Sequence, residues 1–374
     1  MIRIIKEVVF LTEDRISMRQ LLVLLFVGLL SPAIRVLPGL TARAAGEAAW
    51  LSGLAALPVG LLLCWGLFRV LRALPEGEGL AAGLERLLGR LPGKALTAVY
   101  LLWGLLLLSA NARLCAQRFL ATGYRNTELP LFVLVLLAAV LWMARGRFSA
   151  FARAGEVFYL ILSITLAAVL LFALFNVEPE NVLPVWVEDA PGVAAATLPV
   201  LSIRGYAVYG AFLAGAVRRR EGDRPRAMRW TAAFCLVLTA LQFINLGNFG
   251  PVLVARMEFP FFMMVKGIGV QGAFQRVESV VVALWVLSDL VFLGVLAFAC
   301  CAMAKSLFGL KREGRAAAPV VLAGIAGALF LFPDAFTLRW FSERALAAGN
   351  LALGFAVPAV LVLVTLIRGR GKSW

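Results

Sequence analysis

The chain has 374 residues, of which 62% are hydrophobic and 15% charged, and its mean hydropathy is +0.92. No soluble domain needs that much apolar surface, so the composition specifies a polytopic membrane protein. The net charge of +15 would suit nucleic acid, but the Lys and Arg lie between apolar runs and read as topology signals, which argues against a nucleic-acid partner. The absence of His removes His-ligated metals, Ser–His triads and His proton relays. Cys64, Cys115, Cys235, Cys300 and Cys301 are odd in number and mostly inside apolar runs, so they read as small core residues. No metal or cofactor is expected, and no nucleophile–base set or phosphate loop points to an enzyme.

Residues 1–18 mix charged and apolar positions, and no small-residue cleavage site follows, so the first apolar run is expected to stay as a span. That run, QLLVLLFVGLLSPAIRVLPGL at 20–40, is long enough to cross a bilayer. Gly28, Ser31, Pro32, Ala33 and Arg35 fall where the hydrocarbon is deepest, and Pro32 removes a backbone donor. Irregular backbone at that depth is tolerated only inside protein or beside a polar cavity. The stretch is therefore expected to be broken and to form the first half of a site.

Windows of apolar character give ten spans: 18–38, 49–72, 95–119, 129–144, 150–175, 192–216, 229–254, 277–305, 316–333 and 348–367. With the N-terminus cytoplasmic, the inner segments carry more than twice as many Lys and Arg as the outer ones, the densest being RRREGDRPRAMR at 218–229. Both termini are thus expected in the cytoplasm. Two connections exceed simple turns. Residues 79–93 have an amphipathic pattern suited to the inner interface, and residues 259–274 are too interrupted to span.

Transporters are often built from two inverted repeats whose first helices are both broken near the midplane. The sixth span meets that expectation, with Pro199, Ser202, Arg204, Gly205, Tyr206 and Gly210 inside TLPVLSIRGYAVYG at 197–210. One transmembrane domain over 1–374 is expected, with repeats at about 16–175 and about 190–368.

Charges inside spans should face protein or water and have partners. Arg204 either meets an anionic group of a ligand or is half of a structural ion pair, for instance with Asp289. Glu278 and Asp289 lie close to three helical turns apart on one face of the eighth span, as proton, gating or ion-pair groups. Arg35 could reach an outer vestibule or an anionic ligand, snorkelling being the simpler reading. Asn111, near mid-depth in the third span, is placed with the ligand, whereas Gln242, Asn245 and Asn248 read as interhelical hydrogen-bonding groups. Trp50, Trp142, Tyr124, Trp186 and Trp340 fall near span ends, as interfacial anchors do.

Several short motifs carry a resemblance. They are ISMRQ at 16–20, Leu37-Pro38, Ala45-Gly46-x-x-Ala49-Trp50-Leu51-Ser52, Arg153-x-x-Glu156, Asn181-x-Leu183-Pro184-Val185, and Phe274-Gln275-Arg276-Val277-Glu278-Ser279 with Trp285. Their order and spacing resemble the spore germination permeases, the B subunits of nutrient germinant receptors in the amino acid/polyamine/organocation superfamily. The resemblance implies an all-α polytopic membrane protein of ten transmembrane helices in a LeuT-type 5+5 inverted repeat with broken helices 1 and 6. It also implies a small nutrient ligand, an amino acid by expectation, companion A and C subunits, and the inner membrane of a spore. On that reading the substrate-binding residues are Gly28, Ser31, Pro32, Ala33, Asn111, Ser202, Arg204, Gly205 and Tyr206, with Arg35, Glu278 and Asp289 as gating, proton or ion-pair groups. A proton-coupled amino acid transporter and a ligand-gated ion path are the alternatives.

Overall fold

The computed structural model describes residues 14–122, 128–267 and 277–367. Helix α1 (Met18–Ala45) is the central element and packs against four other long helices. Its start is fixed locally by a capping box: Ser17 Oγ accepts from the Gln20 N–H at 3.2 Å, and Gln20 Oε1 accepts from the Ser17 N–H at 2.9 Å. Just before it, β1 (Ile16–Ser17) pairs in parallel with β2 (Val217–Arg218), which follows the interrupted sixth span. The residues just before α1 are thereby tied to those that follow the interrupted sixth span.

After α1, an irregular helical stretch at 46–55 leads into α2 (Leu57–Arg72). The amphipathic connection forms α3 (Leu80–Leu88), which buries Leu80, Leu84 and Leu87 on one face. The third span is α4 (Arg90–Thr122), then α5 (Leu129–Arg145) and α6 (Phe148–Leu174). Asp14 caps α6 across the chain, accepting from the Phe148 and Ser149 N–H groups at 3.0 and 2.8 Å. Arg19 and Gln20 both bond Glu156 of α6, so two of the sequence motifs meet in space.

The sixth span is interrupted. Helix α7 (Ala190–Gly205) ends in a turn at Tyr206 and Ala207, and α8 (Val208–Phe212) continues for little more than one turn. Close packing explains the small residues there: a Cβ on Gly205 would stand 2.5 Å from the Asn350 carbonyl oxygen. Helix α9 (Asp223–Arg256) bends at Gly250, whose φ of 72° is left-handed and favours glycine, immediately before Pro251. Helix α10 (Pro260–Gly267) is the described part of the second non-spanning connection. Then come α11 (Val277–Phe308) and α12 (Ala317–Ala326), which continues as a π-helical turn, Gly327–Leu331. Arg113 of α4 donates to the carbonyls of Ala328 and Pro333 at 3.1 and 2.7 Å, supplying partners at this helix end. The last helical segment runs through α13 (Ala335–Trp340), α14 (Leu346–Leu351) and α15 (Val357–Ile367), joined by two further π-helical turns.

Helix occupies every one of the ten expected windows. Among the described residues, seven helical segments are long and apolar enough to cross a membrane, one of them joining the first two windows as Met18–Arg72. The tenth window starts earlier than expected, at Ala335.

The first span departs from expectation. It is helical throughout, carrying Pro32 and Pro38 inside a continuous α1 rather than an unwound break. Each proline removes one intrahelical donor and crowds the carbonyl four residues before it, at Gly28 and Ile34, without interrupting the helix. Side-chain donors lie nearby but on other carbonyls: Ser288 Oγ donates to Val27 at 2.5 Å, one residue before Gly28, and Thr41 Oγ1 to Leu37 at 2.8 Å.

Candidate functional site

Four elements converge beside Pro32: α1, α4, the α7–α8 turn and α11. The centre is Asp289, fully buried on α11. Ser31 of α1 donates its hydroxyl to one Asp289 oxygen, and the Arg118 guanidinium of α4 pairs with the other. The same guanidinium lies over the Trp285 ring, 4.3 Å from its centroid, one turn before Asp289 on α11. A buried carboxylate needs this density of donors, because desolvation without partners is prohibitive.

Arg35 is one turn beyond Ser31 on the same face of α1. Its Nη2 donates to Asn111 Oδ1 at 2.7 Å, and Nη1 faces Cys115 Sγ at 3.8 Å. The Asn111 amide in turn donates to the Leu107 carbonyl at 2.8 Å and to the Tyr206 hydroxyl at 3.2 Å. The Tyr206 ring stands edge-on to Phe292, with centroids 4.9 Å apart. Gly28 lets α1 approach that point; a Cβ there would come 3.2 Å from Phe292 Cα. The polar chain therefore runs from α1 through α4 to the helix-6 turn, and α11 closes it.

The cluster holds two guanidinium groups and one carboxylate among the described residues. Among the described residues Arg35 has only neutral hydrogen-bond partners, and its Nε is buried without one. Beside Ser31, Trp285 and Ser288 lies a cavity of about 30 Å³, room for little more than water. The arrangement can hold an anionic group at Arg35 or exchange partners at Asp289. Among the described residues, no group of three His, Cys, Asp or Glu comes together as a metal would need.

Of the residues expected at the site, Gly28, Ser31, Arg35, Asn111, Tyr206 and Asp289 are brought together. Pro32 and Ala33 are buried on α1 next to them. Ser202 and Gly205 face the last helical segment: Asn350 donates to the Ser202 carbonyl at 3.1 Å while accepting from Trp103 Nε1 at 3.0 Å. The Glu278 side chain and the motif residues 274–276 lie outside the described residues.

Two readings of buried charge need correction. Arg204 does not pair with Asp289; it donates to Thr231 Oγ1 at 3.2 Å and borders a different, apolar cavity. Arg35 does not snorkel. It is 7% exposed, because Asn111 and Cys115 sit within its reach and hold it inward. The residue missed altogether is Arg118. The third window ended at 119 and left it as an end residue, but α4 runs on to Thr122 and places it inside. Its spacing of seven residues from Asn111, two turns on one face, was the available signal.

This architecture, a bundle of long helices around a proline-bearing first helix and an interrupted sixth, is that of the LeuT-fold transporters. The fold resembles the structure of MhsT in complex with L-phenylalanine (TM-score 0.65, 15% identity, covering 95% of this chain and 99% of that one). It also resembles the Eremococcus coleocola manganese transporter in complex with an aromatic bis-isothiourea substituted compound (TM-score 0.54, 13% identity, 92% and 78%). A family model described as Spore germination protein matches residues 15–335, so the chain belongs to the spore germination permease family. It is 21% identical over 317 residues to Spore germination protein KB of Bacillus subtilis (strain 168), covering 83% of each chain. Family and fold alike point to a permease or transporter-like protein.

Proposed function

We propose that the chain is the membrane-embedded B subunit of a nutrient germinant receptor, binding a small amino acid between α1, α4, the α7–α8 turn and α11. The observation that carries this reading is the buried Arg35–Asn111–Tyr206 chain beside the Ser31–Asp289–Arg118 cluster. A carboxylate entering there meets Arg35, whose present partners are neutral. Asn111 would then reorient, and through it Tyr206 at the turn of the sixth span. An ammonium group can compete with Arg118 for Asp289. The cavity of about 30 Å³ is too small for an amino acid, so binding requires the helices to part. That movement is the signal, since a ligand shifts a conformational equilibrium by its differential affinity for the two states.

The receptor reading places the protein in the inner membrane of a spore, with both termini cytoplasmic, repeats at about 16–175 and about 190–368, and A- and C-type subunits receiving the signal. Support comes from the family match and from the amino acid named with MhsT. A proton-coupled amino acid transporter is the competing reading, favoured by the carboxylate of Asp289 at the centre of a transporter fold. Reconstitution into proteoliposomes separates the two. The receptor reading expects saturable amino acid binding without accumulation; accumulation driven by a proton gradient would establish the transporter.

A further inference from the structure

We propose that Arg204 heads a second site, for a small aliphatic carboxylate, apart from the cluster around Asp289. Arg204 is 5% exposed and borders a cavity of about 100 Å³ between α1, α2, α8 and α9. The walls are apolar, among them Leu25, Leu63, Leu67, Trp230 and Phe234, and among the described residues none of the lining side chains is acidic.

The guanidinium has only weak compensation. One Nη donates to Thr231 Oγ1 at 3.2 Å, the group lies 5.6 Å from the Phe234 ring centroid, and Nε is buried without a partner. A buried cation held by neutral groups alone is costly, and a carboxylate is the geometric match for the guanidinium fork. The backbone makes room for it: a Cβ on Gly60 would come 3.1 Å from Arg204 Nε.

Size and polarity define the ligand. A dry cavity of about 150 Å³ can take the six carbons of benzene, so about 100 Å³ suits a branched chain of about four carbons beyond the carboxylate, as in isovalerate. With no carboxylate in the lining, an ammonium group would be buried without a counter-charge, which selects against zwitterionic amino acids. Access also favours anions. A second cavity of about 60 Å³ shares Met18, Phe68, Leu71 and Ala214 with the first, and Arg72, Arg219, Arg220 and Asp223 border it. Three arginines against one aspartate in the lining, with Glu76 and Glu78 near Arg219, leave a small net positive charge that favours anions there.

Cys64 lines the cavity and is half-buried, while the other four cysteines are buried, so its thiol reports occupancy. The full-length protein in lipid nanodiscs is labelled with a small methanethiosulfonate reagent, and modification of Cys64 is followed by mass spectrometry. Isovalerate, at about ten times its Kd, is expected to slow modification about tenfold by mass action. Isovaleramide, the neutral isostere, and valine, the amine-bearing analogue, should leave the rate unchanged. Arg204→Gln should abolish the protection. If that variant fails to fold, the acid–amide comparison in the unaltered protein decides alone. No protection by isovalerate, or equal protection by isovaleramide or by valine, overturns the proposal.

Discussion

Arg118 of α4 and Asp289 of α11 form an ion pair in the interior of the bundle, their side chains 3% and 1% exposed. Removing one member of such a pair strands the other. Asp289→Asn should therefore destabilise the protein by about 3–5 kcal/mol, read as a fall in Tm of the detergent-solubilised protein. The double variant Arg118→Met with Asp289→Leu should recover most of that loss, because an apolar pair of similar volume avoids the desolvation cost. A double variant no more stable than Asp289→Asn would show that the pair's worth lies elsewhere.

Asn111 joins Arg35 to the Tyr206 hydroxyl. Asn111→Leu keeps the volume but leaves both partners buried without it. The expected cost is about 1–3 kcal/mol, with amino acid affinity falling by more than the stability loss explains. Thermal unfolding and equilibrium binding on the same preparation check both. Unchanged binding would detach Asn111 from the ligand.

Glycine positions should rank by the space around them. A Cβ at Gly205 meets a backbone oxygen at 2.5 Å, whereas at Gly28 it meets Phe292 Cα at 3.2 Å. Gly205→Ala should accordingly lower Tm more than Gly28→Ala. The reverse order would mean that α14 yields more easily than α11.

Asp334 lies in the connection before α13 and caps that helix, accepting from the Thr337 N–H at 2.8 Å. That hydrogen bond, with the Thr337 hydroxyl, holds its carboxyl below the usual range of about 4. A depressed folded-state value contributes stability above the unfolded-state value, and the contribution is lost as pH falls through the folded one. Asp334→Ala should therefore be less stable than the parent at neutral pH, with the gap closing on acidification below about pH 4. A gap independent of pH would assign the effect to helix propensity alone.

Much of this was legible in the sequence. Ten apolar windows each became helix, and the interruption at 205–207 was marked by Gly205 among small and polar neighbours. Arg35, Asn111 and Asp289 were identified because each is costly to bury, and Ser31 and Tyr206 because they lie at the interruptions expected in the first and sixth spans. Their pairing was not legible. Which carboxylate meets which arginine depends on how α4 and α11 are set against each other, and Arg118 and Asp289 are remote in sequence. The continuity of α1 through Pro32 was not legible, because a proline inside an apolar run reads as a break and the sequence alone does not show what packs around it.

The central claim, an amino acid carboxylate held at Arg35, is tested most directly by equilibrium binding of a panel of labelled amino acids to the purified protein in nanodiscs. The unaltered protein and Arg35→Gln are compared side by side. The account predicts saturable binding of at least one amino acid, weakened more than tenfold in Arg35→Gln. Binding of equal strength in the two proteins, or no binding of any amino acid, would contradict it.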